Sequence, residues 1–119
     1  MQTYKDLVVW QKSIDLVMEI YRITGLFPTE EKFGLVSQMR RAAISIPSNI
    51  AEGYARRSKA ENGQFINIAF GSGVELDTQI IIAKKLNLHY DQWSAVDIIL
   101  NEVLRMLYRY RESLYSAGQ

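Results

Sequence analysis

An unbroken apolar seam near the C-terminal end of this 119-residue chain limits the folds that the chain can adopt. The seam follows alternating steps of three and four residues: Trp93, Val96, Leu100, Val103, Leu107, Tyr110 and Leu114. Residues at this spacing lie on one side of an α-helix, and such a seam is buried against other helices, so the pattern predicts a helical bundle. Asp91 is expected to cap this last helix, and residues 116–119 are expected to form a frayed tail.

Two apolar stripes run along the first predicted helix, which extends from about Asp6 to Thr24 and ends at Gly25. The stripe assigned to the core contains Leu7, Trp10, Ile14, Val17 and Tyr21. The second stripe lies roughly opposite and contains Val9, Leu16, Ile20 and Ile23. Because a surface helix needs one apolar face, this helix is expected to be enclosed in the domain or shared with another subunit.

The second predicted helix begins after Thr29, runs to about Arg57 and contains Pro47. Proline removes a backbone N–H and its ring crowds the carbonyl group of Ala43. The apolar stripe of this helix contains Val36, Met39, Ala43, Ile46, Ile50 and Tyr54. Because it keeps its phase on both sides of Pro47, a kink is predicted, with a break into two helices as the alternative.

A stripe of short, hydrogen-bonding side chains lies opposite the apolar stripe of the second helix. Together with two residues of the third helix it forms a candidate structural polar network or subunit interface: Gln38, Arg41, Ser45, Asn49, Glu52, Ser72 and Glu75. A buried carboxylate at Glu52 could act as a general base beside Arg41 and Asn49. Carboxylates paired with arginine more often form structural networks, which favours the structural interpretation.

The third predicted helix opens with the capping box Ser58-Lys59-Ala60-Glu61 and continues to Leu86 or Asn87. Its main stripe contains Phe65, Ala69, Ser72, Leu76, Ile80 and Ala83, and a further apolar side contains Phe70, Val74 and Ile81. Gly71 and Gly73 lower helix propensity, which indicates close approach of another backbone or tolerated surface glycines. The complete pattern predicts an all-α, up-down-up-down antiparallel four-helix bundle that spans residues 1–119 as one domain.

The composition leaves few residues for catalysis, cofactor binding or metal binding. The chain contains no cysteine and one histidine, His89, which is expected to be exposed in the turn before the last helix. Neither the Glu-x-x-His pairs of di-iron bundles nor a glycine-rich phosphate loop occurs. We therefore expect no catalytic residue, no cofactor and no metal site.

Charge and hydropathy bear on the partners of the chain. The net charge is only +1, so a nucleic-acid role must depend on local patches. No uninterrupted apolar run approaches the roughly 20 residues that span a bilayer, and residues 1–6 lack a signal-peptide pattern. A cytoplasmic protein without a membrane partner is expected.

Basic residues cluster in two places. The first cluster surrounds the turn between the second and third helices and contains Arg56, Arg57 and Lys59; the second lies late in the last helix and contains Arg105, Arg109 and Arg111. Arginines near tyrosines such as Tyr108 can bind phosphates and stack on unpaired RNA bases. The alternative is structural, since Tyr110 belongs to the apolar seam and cations complement a helix C-terminus.

Three blocks of sequence carry a family resemblance. They are Tyr4-Lys5-Asp6-Leu7-Val8-Val9-Trp10-Gln11-Lys12, the block from Phe27 to Gly53 with its run Gln38-x-Arg40-Arg41-Ala42-Ala43-x-Ser45-Ile46-Pro47-x-Asn49-Ile50-Ala51-Glu52-Gly53, and Gly71-Ser72-x-x-Glu75-Leu76. These blocks resemble a bacterial family of small four-helix bundle proteins encoded in intervening sequences of 23S ribosomal RNA genes. They are also similar to the accessory protein of diversity-generating retroelements.

The resemblance implies a homo-oligomeric bundle, a pentameric ring, without established enzymatic activity. Retroelement accessory proteins resemble adaptors for RNA and reverse transcriptase and are strongly basic, whereas this chain has a net charge of +1. The leading hypothesis is a non-enzymatic ring that acts as an adaptor associated with structured RNA such as ribosomal RNA. The rival hypothesis is a scaffold that binds a protein partner without direct nucleic-acid binding, and an enzyme ranks third.

Overall fold

Residues 3–117 are described by a computed structural model, and over this range the chain forms four α-helices and no strand. The helices are α1 (Val8–Thr24), α2 (Ser37–Tyr54), α3 (Lys59–Lys85) and α4 (Ser94–Ala117). α1 packs against α2 and α4, and α3 packs against the same two helices. The predicted all-α four-helix bundle is therefore confirmed, with dimensions of 48 × 21 × 19 Å.

Contacts between α3 and α4 run in opposite order along the two helices. The ring of Tyr115 lies against Gly63 near the start of α3, whereas Lys84 near the end of α3 forms an ion pair with Asp97, 2.7 Å between Nζ and Oδ2. The C-terminal part of α4 therefore lies beside the first turns of α3. The up-down-up-down order of all four helices stays a prediction.

The core face of α1 is the second of its two apolar stripes. Leu16, Ile20 and Ile23 are completely buried, whereas Trp10 is half-buried and Tyr21 is 38% exposed. The assignment of the first stripe to the core was therefore wrong. Both stripes have the helical period, and only the packing of α1 against α2 and α4 decides which one is enclosed.

The beginning of α2 differs from the sequence prediction. Residues 29–31 form a 3₁₀ turn and residues 32–36 a π-helical turn, in which Gly34 has non-helical angles of φ −104° and ψ −106°. α2 starts only at Ser37 and ends at Tyr54, so the predicted range from Thr29 to Arg57 was too long. Pro47 lies inside this single helix, so the alternative of a break into two helices does not occur, and the kink stays a prediction.

The start of α3 agrees with the sequence prediction, and that of α4 does not. The hydroxyl oxygen of Ser58 accepts a hydrogen bond from the backbone N–H of Glu61 at 3.1 Å, which confirms the cap. Asp91, in contrast, lies in a 3₁₀ turn before α4. The buried indole of Trp93 donates to the carbonyl oxygen of Leu88 at 2.9 Å, which holds this turn and delays the start of α4.

The C-terminal seam of α4 is confirmed, since its first five members are buried and its last two are half-buried. α4 continues to Ala117, so residues 116 and 117 belong to the helix rather than to a frayed tail. Residues 118–119 of the predicted tail lie outside the described range.

The two glycines in the middle of α3 have different surroundings. A Cβ atom at Gly73 would lie 2.6 Å from Cδ2 of Leu104, so a side chain of α4, rather than a backbone, approaches there. A Cβ atom at Gly71 would meet no described atom within 4 Å. Gly71 therefore faces outward.

α3 also has the length and mean hydropathy of a membrane-crossing helix, although only 33% of its most apolar window is buried. Its main stripe, which includes Ala69, Leu76 and Ile80, packs in the core of the bundle. Core helices of helical bundles have the same length and hydropathy, so the hydropathy of α3 alone does not indicate contact with a membrane.

Candidate nucleic-acid interface

The two basic clusters predicted from the sequence lie in the half of the bundle that contains the α2–α3 turn, and Arg105 lies at the middle of α4. Arg111 of α4 donates a hydrogen bond from Nη1 to Oδ1 of Asn67 at 3.3 Å, and Asn62 donates from Nδ2 to the hydroxyl oxygen of Tyr110 at 3.2 Å. Lys59, the first residue of α3, precedes Asn67 by about 12 Å along the helix axis. We call residues 56–61 together with residues 105–112 the basic end.

The basic end concentrates positive charge in a nearly neutral chain. It holds six basic and two acidic side chains, a local charge of +4, whereas the whole chain has a net charge of +1. The other residues together therefore carry a net charge of −3. This asymmetry provides a local patch that the overall charge conceals.

Two cations of the basic end are engaged in contacts within the chain. The guanidinium carbon of Arg56 lies 4.7 Å from the centroid of the Phe65 ring, and its Nη2 atom lies 3.0 Å from Oε2 of Glu52. The guanidinium carbon of Arg111 lies 4.7 Å from the ring centroid of Phe70. Such cation–π contacts hold these arginines against the bundle.

Four other cations of the basic end are exposed: Arg57, Lys59, Arg105 and Arg109. None of them forms an ion pair or side-chain hydrogen bond with another residue in the range 3–117. They are therefore free to contact an external anion, which separates them from Arg56 and Arg111.

A surface groove between α3 and α4 adjoins these cations. Its volume is about 520 Å³, and its lining residues are Phe70, Asn101, Leu104, Arg105, Tyr108 and Arg109. Sequence reasoning missed Phe70, Asn101 and Leu104 as groove residues, because their only signal was membership of apolar or polar stripes. Asn101 and Leu104 lie within one turn of Arg105 on α4, and the packing of α3 on α4 adds Phe70.

Part of the predicted polar stripe forms a compact network between α2 and α3. The buried hydroxyl of Ser72 donates to Oγ of Ser45 at 2.8 Å. The amide of Asn49 donates to the same oxygen at 2.9 Å and to the carbonyl oxygen of Ser45 at 2.7 Å. These three residues satisfy one another within the subunit.

The other members of the stripe are exposed. Glu52 pairs with Arg56, and Glu75 accepts a hydrogen bond from Gln79 at 3.2 Å. Gln38 and Arg41 form no side-chain hydrogen bond or ion pair with any described residue. The structure thus does not create the buried carboxylate that a general base at Glu52 required.

His89 lies in the predicted turn but is half-buried rather than exposed. Its Nε2 atom lies 2.6 Å from the carbonyl oxygen of Leu26, and its ring stacks on Phe27 with 6.1 Å between centroids. The imidazole therefore joins the α3–α4 turn to the α1–α2 connection, and this contact overturns the expected exposure. No cluster of three His, Cys, Asp or Glu side chains suited to a metal ion occurs in the described part of the chain.

A protein-family model described as 23S rRNA-intervening sequence protein matches residues 5–109 of the chain. The match includes α1, α2, α3 and most of α4, together with the four free cations of the basic end. A search of curated proteins finds no match. The relation to retroelement accessory proteins stays a prediction.

Proposed function

Because the chain belongs to the 23S rRNA-intervening sequence protein family, we propose that it is a non-enzymatic, cytoplasmic adaptor that forms a homo-oligomeric ring and binds structured RNA such as ribosomal RNA. The observation that carries this proposal is that two basic clusters lie in the same half of the bundle. Four unpaired cations there are available for contacts with phosphates, and such contacts supply most of the affinity of sequence-independent nucleic-acid binding.

A salt titration with charge-matched variants tests the RNA role. Arg57→Ala/Lys59→Ala removes two free cations of the basic end, and Lys32→Ala/Lys85→Ala removes two exposed cations from the opposite end. The opposite end is identified by the contact between His89 and Leu26, which joins the two connections there. Both double variants have the same net charge.

Binding of a structured ribosomal RNA fragment to the wild type should weaken linearly on a plot of log K against log salt concentration. The basic-end variant should bind more weakly, with a slope smaller by about one for each lost phosphate contact. The opposite-end variant should retain the wild-type slope. Absence of salt-sensitive binding to the wild type would overturn the RNA role, and equal losses in both variants would overturn its assignment to the basic end.

The proposed ring uses two exposed apolar surfaces on different sides of the bundle. One is a groove of about 390 Å³ between α1 and α2, lined by Tyr4, Trp10, Ile14, Val17, Ile44, Pro47, Ser48 and Ala51. The other is the outer face of α3 with Ile68, Gly71 and Ile82, whose isoleucines are 50% and 45% exposed. When each subunit contacts the next through two different surfaces, a closed ring forms if the rotations between successive subunits add up to a full turn. The family resemblance supports five subunits.

The α1–α2 groove also favours the second candidate function, a scaffold for another protein. An exposed apolar groove between two helices suits an amphipathic helix of a partner. A stoichiometric protein complex that survives nuclease treatment and is lost in Ile44→Asp, together with the absence of RNA binding, would favour this alternative.

A further inference from the structure

We propose that the groove between α3 and α4 binds an unpaired nucleotide of the RNA, with the base in the groove and the flanking phosphates on Arg105 and Arg109. This inference rests on the proposed RNA role and specifies which part of the RNA the protein recognises. It predicts that the protein distinguishes RNA with accessible bases from RNA that offers phosphates alone.

Aromatic rings supply the surface on which a base can stack. Tyr108 is 51% exposed and lines the groove from α4, whereas Phe70 lines it from α3. Leu104 also lines the groove, and its side chain packs closely on Gly73 of α3, since a Cβ atom there would lie 2.6 Å from Cδ2 of Leu104. The groove thus combines apolar packing with an accessible ring, as base-stacking sites do.

Arg111 is a positioning residue in this arrangement. Its guanidinium carbon lies 4.7 Å from the centroid of Phe70 and 5.4 Å from that of Tyr108, while Nη1 donates to Asn67. These contacts join the two rings across the helix interface. They also engage the Arg111 side chain, whereas Arg105 and Arg109 have no side-chain partner among the described residues.

Charge complementarity favours a nucleotide as the occupant. Arg105 and Arg109 are four residues apart on α4 and therefore lie on the same face of the helix. Among the described residues no acidic side chain lines the groove, and the amide of Asn101 offers a donor and an acceptor to a base edge. An acidic protein segment would satisfy the two arginines but would leave the aromatic surface unused.

The groove also has a suitable size, since ligand sites occupy roughly 300–1,000 Å³. A base in an A-form duplex is stacked and paired, and the deep major groove hides its edge from side chains. An unpaired nucleotide in a loop or bulge presents both its face and its edge. The shape and the aromatic lining therefore select single-stranded positions.

Two RNA hairpins with the same number of phosphates test this proposal. One has an intact loop, and the other has abasic sites at every loop position. The wild type should bind the intact hairpin more tightly, and Tyr108→Ala should lose this preference, a loss of roughly 5- to 150-fold for one stacked base. Tyr108→Phe should retain the preference because it keeps the ring.

Further variants separate stacking from phosphate contact. Asn101→Ala changes an exposed residue and should reduce the preference without unfolding the chain. Arg57→Ala/Lys59→Ala should weaken binding of both hairpins by the same factor.

Equal, salt-sensitive binding of both hairpins by the wild type would overturn the nucleotide site and leave the proposed RNA role standing. A preference that persists in both Tyr108→Ala and Asn101→Ala would also overturn the site. Binding of neither hairpin, with no salt-sensitive binding of the ribosomal RNA fragment, would overturn both proposals.

Discussion

Arg111 of α4 lies over the ring of Phe70 of α3, with 4.7 Å between the guanidinium carbon and the ring centroid. A similar contact is made by Arg56 of the turn between α2 and α3, which lies 4.7 Å from the centroid of Phe65. The last helix and the α2–α3 turn are thus each held to α3 by an arginine over an aromatic ring. At the basic end these arginines stabilise the interface, and their unpaired neighbours are free to contact an external anion.

The first prediction separates the structural arginine from a free one. Arg111→Ala removes two cation–π contacts and one hydrogen bond, so it should lower the free energy of unfolding by about 1–2 kcal/mol. Arg105→Ala removes an exposed side chain without such contacts and should change this free energy by no more than about 0.5 kcal/mol. Urea unfolding at a single protein concentration measures both values, and similar values would contradict the distinction.

The second prediction concerns the hydroxyl pair between α2 and α3. Ser45→Ala removes the oxygen that accepts the buried Ser72 hydroxyl and should cost about 1–3 kcal/mol of stability. Ser72→Ala should cost less, about 0.5–1.5 kcal/mol, because Ser45 keeps its contact with Asn49. The double variant should lose less stability than the sum of the single losses. Additive losses in urea unfolding would mean that the two hydroxyl groups do not interact.

The third prediction concerns the ion pair between α1 and α4. Nζ of Lys12 lies 2.7 Å from Oε2 of Glu102. The hydrogen bond and the negative charge of Glu102 raise the pKa of Lys12 above its ordinary 10.5. The charged amine therefore stabilises the fold at pH values below 10.5, and this contribution is lost as the pH rises through the raised pKa.

A titration followed by the NMR signal of the Lys12 side chain measures this shift. Glu102→Gln should move the pKa of Lys12 back toward its ordinary value, whereas Glu112→Gln, at a distant position of α4, should leave it raised. An unchanged pKa in Glu102→Gln would show that this pair does not form in solution.

The fourth prediction concerns assembly. The wild type should have a mass several times that of the 13.7 kDa subunit in light scattering coupled to size exclusion. Ile44→Asp in the α1–α2 groove and Ile82→Asp on α3 should each reduce that mass, because both place a charge in an apolar contact. Ile98→Asp changes a 58% exposed isoleucine of α4 outside both surfaces and should not. A monomeric wild type would overturn the ring.

Sequence periodicity was sufficient for α4 but not for α1. Leu100 and Leu107 belong to a single apolar seam, so their burial followed from spacing alone. In α1, Trp10 and Leu16 lie on two stripes of similar hydrophobicity, and only packing buries Leu16 while leaving Trp10 half-exposed. A local period identifies apolar faces, but it cannot rank two of them.

The candidate site shows the same limit. The basic residues were visible in the sequence, but Lys59 and Arg111 are 52 positions apart in the chain. The packing of the C-terminal half of α4 on the first half of α3 places both clusters in the same half of the bundle. The engagement of Arg111 with Phe70 depends on side-chain geometry across two helices and has no signature in the sequence.

Ultraviolet cross-linking of the purified protein to a structured ribosomal RNA fragment, followed by mass spectrometry of the modified peptides, measures where the RNA contacts the bundle. Cross-links should concentrate in residues 56–70 and 101–111, and Arg57→Ala/Lys59→Ala should reduce their yield. Cross-links confined to residues 22–40 and 84–98 at the opposite end would contradict the account.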